Sequence, residues 1–383
     1  MESIEAGQSA KVKRPRRGPR FREASLRDFE QIARLESRYG LTPARNAEQW
    51  SHLWLGNPLY RELQPDWSIG WVLEDQDHRI VASMGNIPRS FEIDGRRILA
   101  ATGRGWVAEP EYRSASLLLL EQVINQPHVD LYVNNTVNQV STAPVSVFQC
   151  QRVPVGVWDE YAFWITHYQS YFERWLRQKK YPLSKPLSYP LSAAARIRDR
   201  SHKKACDHLD VEIQVCLAFD ERFDEFWANL QELRPHVLLA VRTREVLEWH
   251  YKYALLEGRV WILAVVDGPR IVAYAVFDTK RYATGLRQAR LVDFQSLGSE
   301  TGLVAALLDR AVHKCREEGV HRLVSIGRWL DDGEWLKSVA PYRSRLPSWL
   351  YYYRVNRPHL IEQLRGRQAW DPFLFDGDAG LLR

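Results

Sequence analysis

The stretch WVAEPEYRSASLLLLEQ, Trp106 to Gln122, has the residue types to hold an anion. An alternating apolar run stops at Pro110, an unbroken leucine run begins at Leu117, and Arg113, Ser114, Ala115 and Ser116 lie between them. Strand, sharp turn and helix in that order present unpaired amides and the positive end of a helix dipole, which together bind a phosphate or pyrophosphate. Arg113 can pair with phosphate, and Ser116 is placed to cap the helix. The glycines that let such a turn approach its ligand are missing. A serine or alanine forced into left-handed geometry costs about 1–2 kcal/mol, which weakens binding roughly tenfold to thirtyfold without abolishing it. An ordinary helix start with Arg113 in solvent reads the same residues equally well. The nearby GRGWVA (Gly103, Gly105, Ala108) fits the spacing GxGxxA, but a dinucleotide site needs a helix to begin inside that motif, and strand-like residues continue here to Pro110.

Two further features could do chemistry. Asp293 interrupts the apolar run ARLVDFQS in mid-strand, where a carboxylate is costly unless partnered or functional. An ion pair with Arg290 or Arg281 and a catalytic role each account for it. Trp50, Trp54, Trp67, Trp71 and Trp249 belong to a large set of 15 tryptophans; they either line a cleft for a sugar or a long acyl group or, in the commoner use of such rings, pack the core. No metal is expected. Cys150, Cys206, Cys216 and Cys315 form no CxxC pair and no His pair has zincin spacing, so the thiols read as scattered and buried.

The elements that position these residues come in two similar sets. Residues 23–164 open with a short strand and an amphipathic helix in FREASLRDFEQIARLESRYGL, where Ser25 caps, Asp28 sits three residues on, and Phe29, Ile32, Ala33 and Leu35 share a face. A three-strand antiparallel meander follows, with turns at Asp75–Asp77 and Asp94-Gly95, then a leucine-rich helix over 117–126 and the strand DLYVNN. Residues 211–356 repeat the order, and Arg-Ile-Val-Ala recurs in matching place at 79–82 and 270–273, so duplication is expected. A basic, proline-containing connector with one helix spans 165–210; its Tyr168, Tyr171 and Trp175 either pack that helix or lie on a membrane surface. Residues 357–383 form a C-terminal extension.

Of the net charge of +6, a surplus of +5 sits in residues 1–22: Lys11, Lys13, Arg14, Arg16, Arg17, Arg20 and Arg22 against Glu2 and Glu5. This reads as a disordered basic tail that solubilises the chain or touches nucleic acid. No apolar run approaches membrane-spanning length and the opening has no signal-peptide core, so a soluble, cytoplasmic protein is expected. At 383 residues, with 45% hydrophobic and 26% charged content, the chain is long enough for two cores.

This order of elements resembles the GCN5-related N-acyltransferase (GNAT) superfamily. REASLRDFEQIARL is similar to its first strand and helix, VAEPEYRSASLLLLEQ to its acyl-CoA loop, and SVFQCQRVPV to its closing segment. RTREVLEWHYKY and the meander to ARLVDFQS resemble tandem members, as does the ending AWDPFLFDGD. The departures are Ser114, Ala115 and Ser116 in place of glycines, Arg152 in place of the closing glycine, and no basic residue between Gly298 and Gly302 in the second half. The implied fold class is mixed α/β (α+β): two tandem GNAT-like domains, each a mostly antiparallel mixed sheet flanked by helices.

The implied activity is acyl transfer from acetyl-CoA or another acyl-CoA to an amine of a small molecule or cell-envelope precursor. Such transfer needs a base for the amine, a donor for the oxyanion and an acid for the thiolate. The resemblance places Glu109, beside Glu111, as base in the first half and aligns Trp106, Val107 and Ala108 with pantetheine. Arg113, Ser114, Ala115 and Ser116 take the pyrophosphate, and Asn134, Asn138 and Ser141 orient the acceptor unless they serve turns and caps. In the second half Asp293 and Tyr342 fill the base and acid positions. Two other functions fit the same fold: a transferase taking aminoacyl groups from tRNA, for which a degenerate loop and basic tail are expected, and a non-catalytic scaffold. The acceptor, acyl length, active half and oligomeric state are not encoded in any motif.

Overall fold

The computed structural model describes residues 18–202, 211–298, 300–330, 340–346 and 350–381; Cys206 and most of the basic tail lie outside the described residues. In chain order the strands are β1 (Arg20–Glu23), β2 (Gly70–Glu74), β3 (Ile80–Ile93), β4 (Arg96–Ala108), β5 (Leu131–Val137), β6 (Gln151–Arg152), β7 (Val157–Ile165) and β8 (Glu212–Cys216). They continue with β9 (Leu239–Ala240), β10 (Val260–Asp267), β11 (Arg270–Arg281), β12 (Arg287–Ser296), β13 (Arg322–Gly327), β14 (Tyr342–Arg345) and β15 (Leu350–Val355). The helices are α1 (Phe29–Arg38), α2 (Ala47–Leu55), α3 (Pro58–Leu63), α4 (Leu117–Ile124), α5 (Thr142–Val147) and α6 (Tyr168–Gln178). After them come α7 (Ser184–His202), α8 (Glu221–Leu233), α9 (Arg244–Leu256), α10 (Glu300–Glu317) and α11 (Pro358–Arg365).

Two mixed sheets result. The first runs β1-β2-β3-β4-β5-β15-β6, with β9 added to β3, and the second runs β14-β7-β13-β12-β11-β10-β8. Asp94 and Gly95 both have positive φ (51° and 69°) and close the long β3–β4 hairpin, the geometry whose twist matches a hairpin. The two Arg-Ile-Val-Ala copies lie at the start of β3 and β11. In each half the meander ends in a parallel strand–helix–strand unit, β4–α4–β5 and β12–α10–β13.

The sheets exchange a strand. β7 pairs with β13 and β14 in the second sheet, and β15 pairs with β5 and β6 in the first. Ranges drawn along the chain, 23–164 and 211–356, thus each give one strand to the other sheet. SVFQCQRVPV forms the end of α5 and β6, and the place beside β5 belongs to β15 instead. The connector holds two helices rather than one. Pro186 falls in the first turn of α7, where no amide partner is lost, and Pro190 lies inside that helix. Tyr168, Tyr171 and Trp175 pack into the main core.

The C-terminal segment runs between the sheets. Asn135 on β5 donates to Leu374 O (2.9 Å) and accepts from Ala379 N (3.1 Å). From the second half the fully buried Arg242 bonds Asp293 on β12 through Nε and Nη2 (both 2.9 Å) and Asp376 on the segment (2.9 Å). Asp293 therefore has a partner that neither sequence candidate supplied. Arg290 lies opposite Asp278 on β11 and pairs with it instead. Arg89, also buried, donates to Phe375 O, and both guanidiniums lie 4.7 Å from the Phe375 ring centroid. Burial pushes the Asp376 carboxyl up to about 6 against the pull of Arg242.

Removing one partner from such a network leaves the others charged and dry. Arg242→Met is expected to lower stability by about 3–5 kcal/mol, read by urea unfolding. The strand exchange sets a second expectation: fragments 1–210 and 211–383 expressed apart show no cooperative melting by circular dichroism, and co-expression restores it. A cooperative transition in either fragment alone would contradict the exchange.

Candidate functional site

β4 and β5 pair only over Ala100–Thr102 against Leu131–Val133 and separate beyond. The separation opens a cavity of about 450 Å³, within the roughly 300–1,000 Å³ of small-molecule sites. Asn134 Nδ2 donates to Gly103 O (3.1 Å) at the point of divergence. On its other edge β4 bulges against β3, where the register shifts between Ser83 and Gly85. Gly105 in the bulge has φ +64°, and a Cβ there would meet Glu36 Oε1 at 2.4 Å. A Cβ on Gly103 would meet Met84 Cε at 2.3 Å. Gly105 is thus held at this wall by its left-handed backbone, whereas at Gly103 the close contact is with the flexible end of Met84.

Glu36, in the last turn of α1, lines the cavity and is only 3% exposed. Among the described residues its Oε2 has no hydrogen-bond partner, and Arg104 lies 3.6 Å from Oε1. Burial raises its pKa, with Arg104 opposing the shift. Tyr132 on β5 turns its hydroxyl to the same space, 3.4 Å from Asn134 Nδ2, and burial holds the phenol protonated well above its usual range. From the C-terminal segment Asp378 accepts from the Thr136 hydroxyl (2.7 Å) and closes one wall. A desolvated carboxylate and a protonated phenol lining one open cavity are an acid–base arrangement. Neither residue was found from sequence. Glu36 had a signal: with Phe29 and Ile32 it occupies i, i+3 and i+7 of the apolar stripe of α1, where a carboxylate is out of place.

The second half differs. β12 and β13 pair over Gln288–Arg290 against Arg322–Val324, and aromatic rings occupy the far end of the unit. Phe294 on β12 and Trp329, just past β13, have centroids 5.5 Å apart, and Phe373 of the C-terminal segment lies 6.3 and 6.4 Å from them.

No protein-family model matches the chain, and no curated protein matches it. Solved structures do. Saccharomyces cerevisiae N-myristoyltransferase with bound myristoyl-CoA and inhibitors aligns over 98% of this chain and 89% of its own, at a TM-score of 0.56 and 10% identity. A GCN5-related N-acetyltransferase from Kribbella flavida aligns over 88% of this chain and 71% of its own (TM-score 0.53, 13% identity), and one from Anabaena variabilis over 88% and 72% (0.51, 11%). The fold is the GNAT fold, in its double form. In GNAT terms the open β4/β5 separation belongs to the first sheet.

Within this GNAT frame the residues singled out from sequence fall in several places. Trp106 lines the cavity, and its Nε1 donates to Ser116 O (3.3 Å); Val107 is buried on the opposite side, and Ala108 packs toward α4. Arg113 and Ser114 are exposed and Ala115 half-buried. Ser116 is buried and does not cap α4: its hydroxyl donates to Arg113 O (2.7 Å). The amides of Ser116, Leu118 and Leu119 are taken by the carbonyls of Tyr112, Ala115 and Ser116, because the chain enters α4 through continuous turns rather than a sharp bend. The outward amides expected there are thus largely spent. Glu109 is held by Arg38 (2.7 Å) and is not among the lining residues. Asn138 accepts from Ser141 N (2.8 Å) at the start of α5, so both asparagines serve the fold while lining the cavity. Asp293 is enclosed by Arg242, and Tyr342 stacks on Phe163 (5.1 Å) beside α7, away from the cavity. The five tryptophans are all buried core.

The raised pKa of Glu36 has a stability consequence. The folded state holds this proton more tightly than the unfolded chain, whose carboxyl titrates near 4.5. Stability therefore falls as pH rises from that value to the folded pKa, and the loss is complete above it. Glu36→Gln should match the parent at pH 4 and melt higher than it at pH 8; a difference independent of pH would contradict the burial penalty on this carboxylate.

Proposed function

We propose that the chain is an acyl-CoA-dependent N-acyltransferase whose reaction takes place in the first half. The carrying observation is Glu36, a buried carboxylate with one unpartnered oxygen at an open cavity. The β4 edge beyond Thr102 has no strand beside it, so its backbone N–H groups are available to a pantetheine arm along Trp106–Ala108 and to an oxyanion. The glycine-walled bulge gives the arm its room. Arg113 and Ser114 meet the phosphates at the rim, with less help from α4 than a glycine turn provides. The N-myristoyltransferase of like fold was solved with bound myristoyl-CoA, which supports a thioester donor; acetyl and longer acyl groups are to be compared directly.

In the reaction Glu36 takes the proton of the attacking amine, directly or through one water. The amine nitrogen forms the C–N bond and the C–S bond breaks. Tyr132, kept protonated by burial, donates a hydrogen bond toward the departing sulfur, which leaves as the thiol after taking a proton from solvent. Glu36 returns its own proton to solvent. The second half, its unit filled by Phe294, Trp329 and Phe373, carries no reaction, and Asp293 and Tyr342 have structural roles.

Coenzyme A and acyl-CoAs should raise the melting temperature, and Arg113→Ala should reduce the rise. Glu36→Gln should lower the rate of thiol release by about 10²–10⁴-fold and keep the shift. Absence of any shift or thiol release would overturn the proposal. The spent amides of α4 favour one rival donor, an aminoacyl-tRNA, which needs no pyrophosphate turn; it would show as salt-sensitive tRNA binding lost on deletion of residues 1–17.

A further inference from the structure

We propose that a second cavity, built by the second sheet, holds the acceptor, and that the acceptor is a small amine carrying a carboxylate or phosphate. This rests on the acyl-transfer reading above. The cavity measures about 280 Å³ and is lined from β7, β11, β12 and β13, a size that suits a metabolite of a few carbons rather than a chain.

Its charge points to an anion. Arg290 pairs with Asp278 (2.5 Å), Arg259 with Glu257 (2.5 Å), and Lys280 lies 5.5 Å from the Tyr282 ring centroid. Arg322 differs. Its Nε donates to Gln288 Oε1 (2.8 Å) and its Nη1 reaches the Tyr161 hydroxyl (3.5 Å). The groups acting on it are the phenols of Tyr171, Tyr161 and Tyr282, with no carboxylate among them. A largely buried guanidinium facing neutral groups is a standing demand for an anion, which it can meet with a short charge-assisted hydrogen bond. Lys280 adds positive charge to the same wall, so four cations face the one lining carboxylate, Asp278, and an excess of one sign concentrates the opposite sign.

Position ties this cavity to the reaction. Lys280 lines both cavities. The rest of the partition is the C-terminal segment: Asp378 and Leu381 face the first cavity, and Arg290 of the second donates to Ala379 O (3.3 Å). An amine anchored at Arg322 by its anionic end leaves its nitrogen free to reach the boundary that Lys280 shares with the β4/β5 cavity. A nearby ammonium disfavours protonation of that nitrogen, which is the form attack requires. The nitrogen then joins the acyl carbon as the sulfur leaves, giving an N-acyl anion and free thiol.

Titration calorimetry on the full chain with three probes tests this: β-alanine, O-phosphoethanolamine and ethanolamine. Binding of either anionic amine at least tenfold tighter than ethanolamine, weakened at least tenfold by Arg322→Gln, is the expected result, with Lys280→Gln shifting acylation to higher pH, and the tighter of the two names the anion. Lys280 is exposed, so its variant remains informative if Arg322→Gln fails to fold. Equal binding of all three probes, or anion binding indifferent to Arg322→Gln with a pH profile of acylation indifferent to Lys280→Gln, overturns the proposal while a coenzyme A shift leaves the transferase reading standing. Anionic amines that bind but are never acylated, in a chain that releases thiol with neutral amines, overturn the acceptor role.

Discussion

Arg242 is bound to two carboxylates that are distant in the chain, Asp293 in the middle of β12 and Asp376 near the C-terminus. All three side chains are out of water, so each charge is tolerable only in the presence of the others. This fixes the C-terminal segment between the sheets to within hydrogen-bond tolerance. The segment then shapes what surrounds it: Phe373 closes the aromatic group of the second half, Asp378 and Leu381 wall the first cavity, and Ala379 meets the second. A polar network in the interior thus sets the geometry of surfaces that are open to ligands.

The two halves share a plan and differ in what occupies it. In both, a parallel strand pair diverges after three residues. In the first, the divergence is bordered by glycines at 103 and 105, a buried glutamate and a phenol. In the second, the equivalent region is packed with aromatic rings, and its mid-strand carboxylate is committed to an ion pair. The difference follows from packing: apolar surface placed in a cleft lowers free energy by leaving water and takes up the space.

Two ionisable groups stand apart in what faces them. Glu36 Oε2 has no partner, and Arg322 has no carboxylate among the groups that act on it. Elsewhere the chain pairs its charges closely, as at Arg290–Asp278 and Arg38–Glu109. Two of the thiols follow the expectation of burial: Cys150 and Cys315 are buried and pushed up to about 12 by desolvation, which leaves them unreactive, whereas Cys216 is half-buried.

Local order was legible in the sequence: the hairpin turn at Asp94-Gly95, the meander, the leucine helix after Pro110 and the repeat of this plan in the second half all follow from periodicity and turn chemistry between near neighbours. The oddity of Asp293 was legible too, though not its partner. What the tertiary structure decided depends on residues far apart in the chain. β15 inserts beside β5, Arg242 rather than Arg290 meets Asp293, and Glu36 stands against a bulge some seventy residues away. Strand order and ion-pair choice are set by burial competing over the whole molecule, and no local pattern carries that competition. The phosphate turn shows the limit most plainly: its residues permit outward amides or internal bonding, and only the path of the chain into α4 selects the internal bonds.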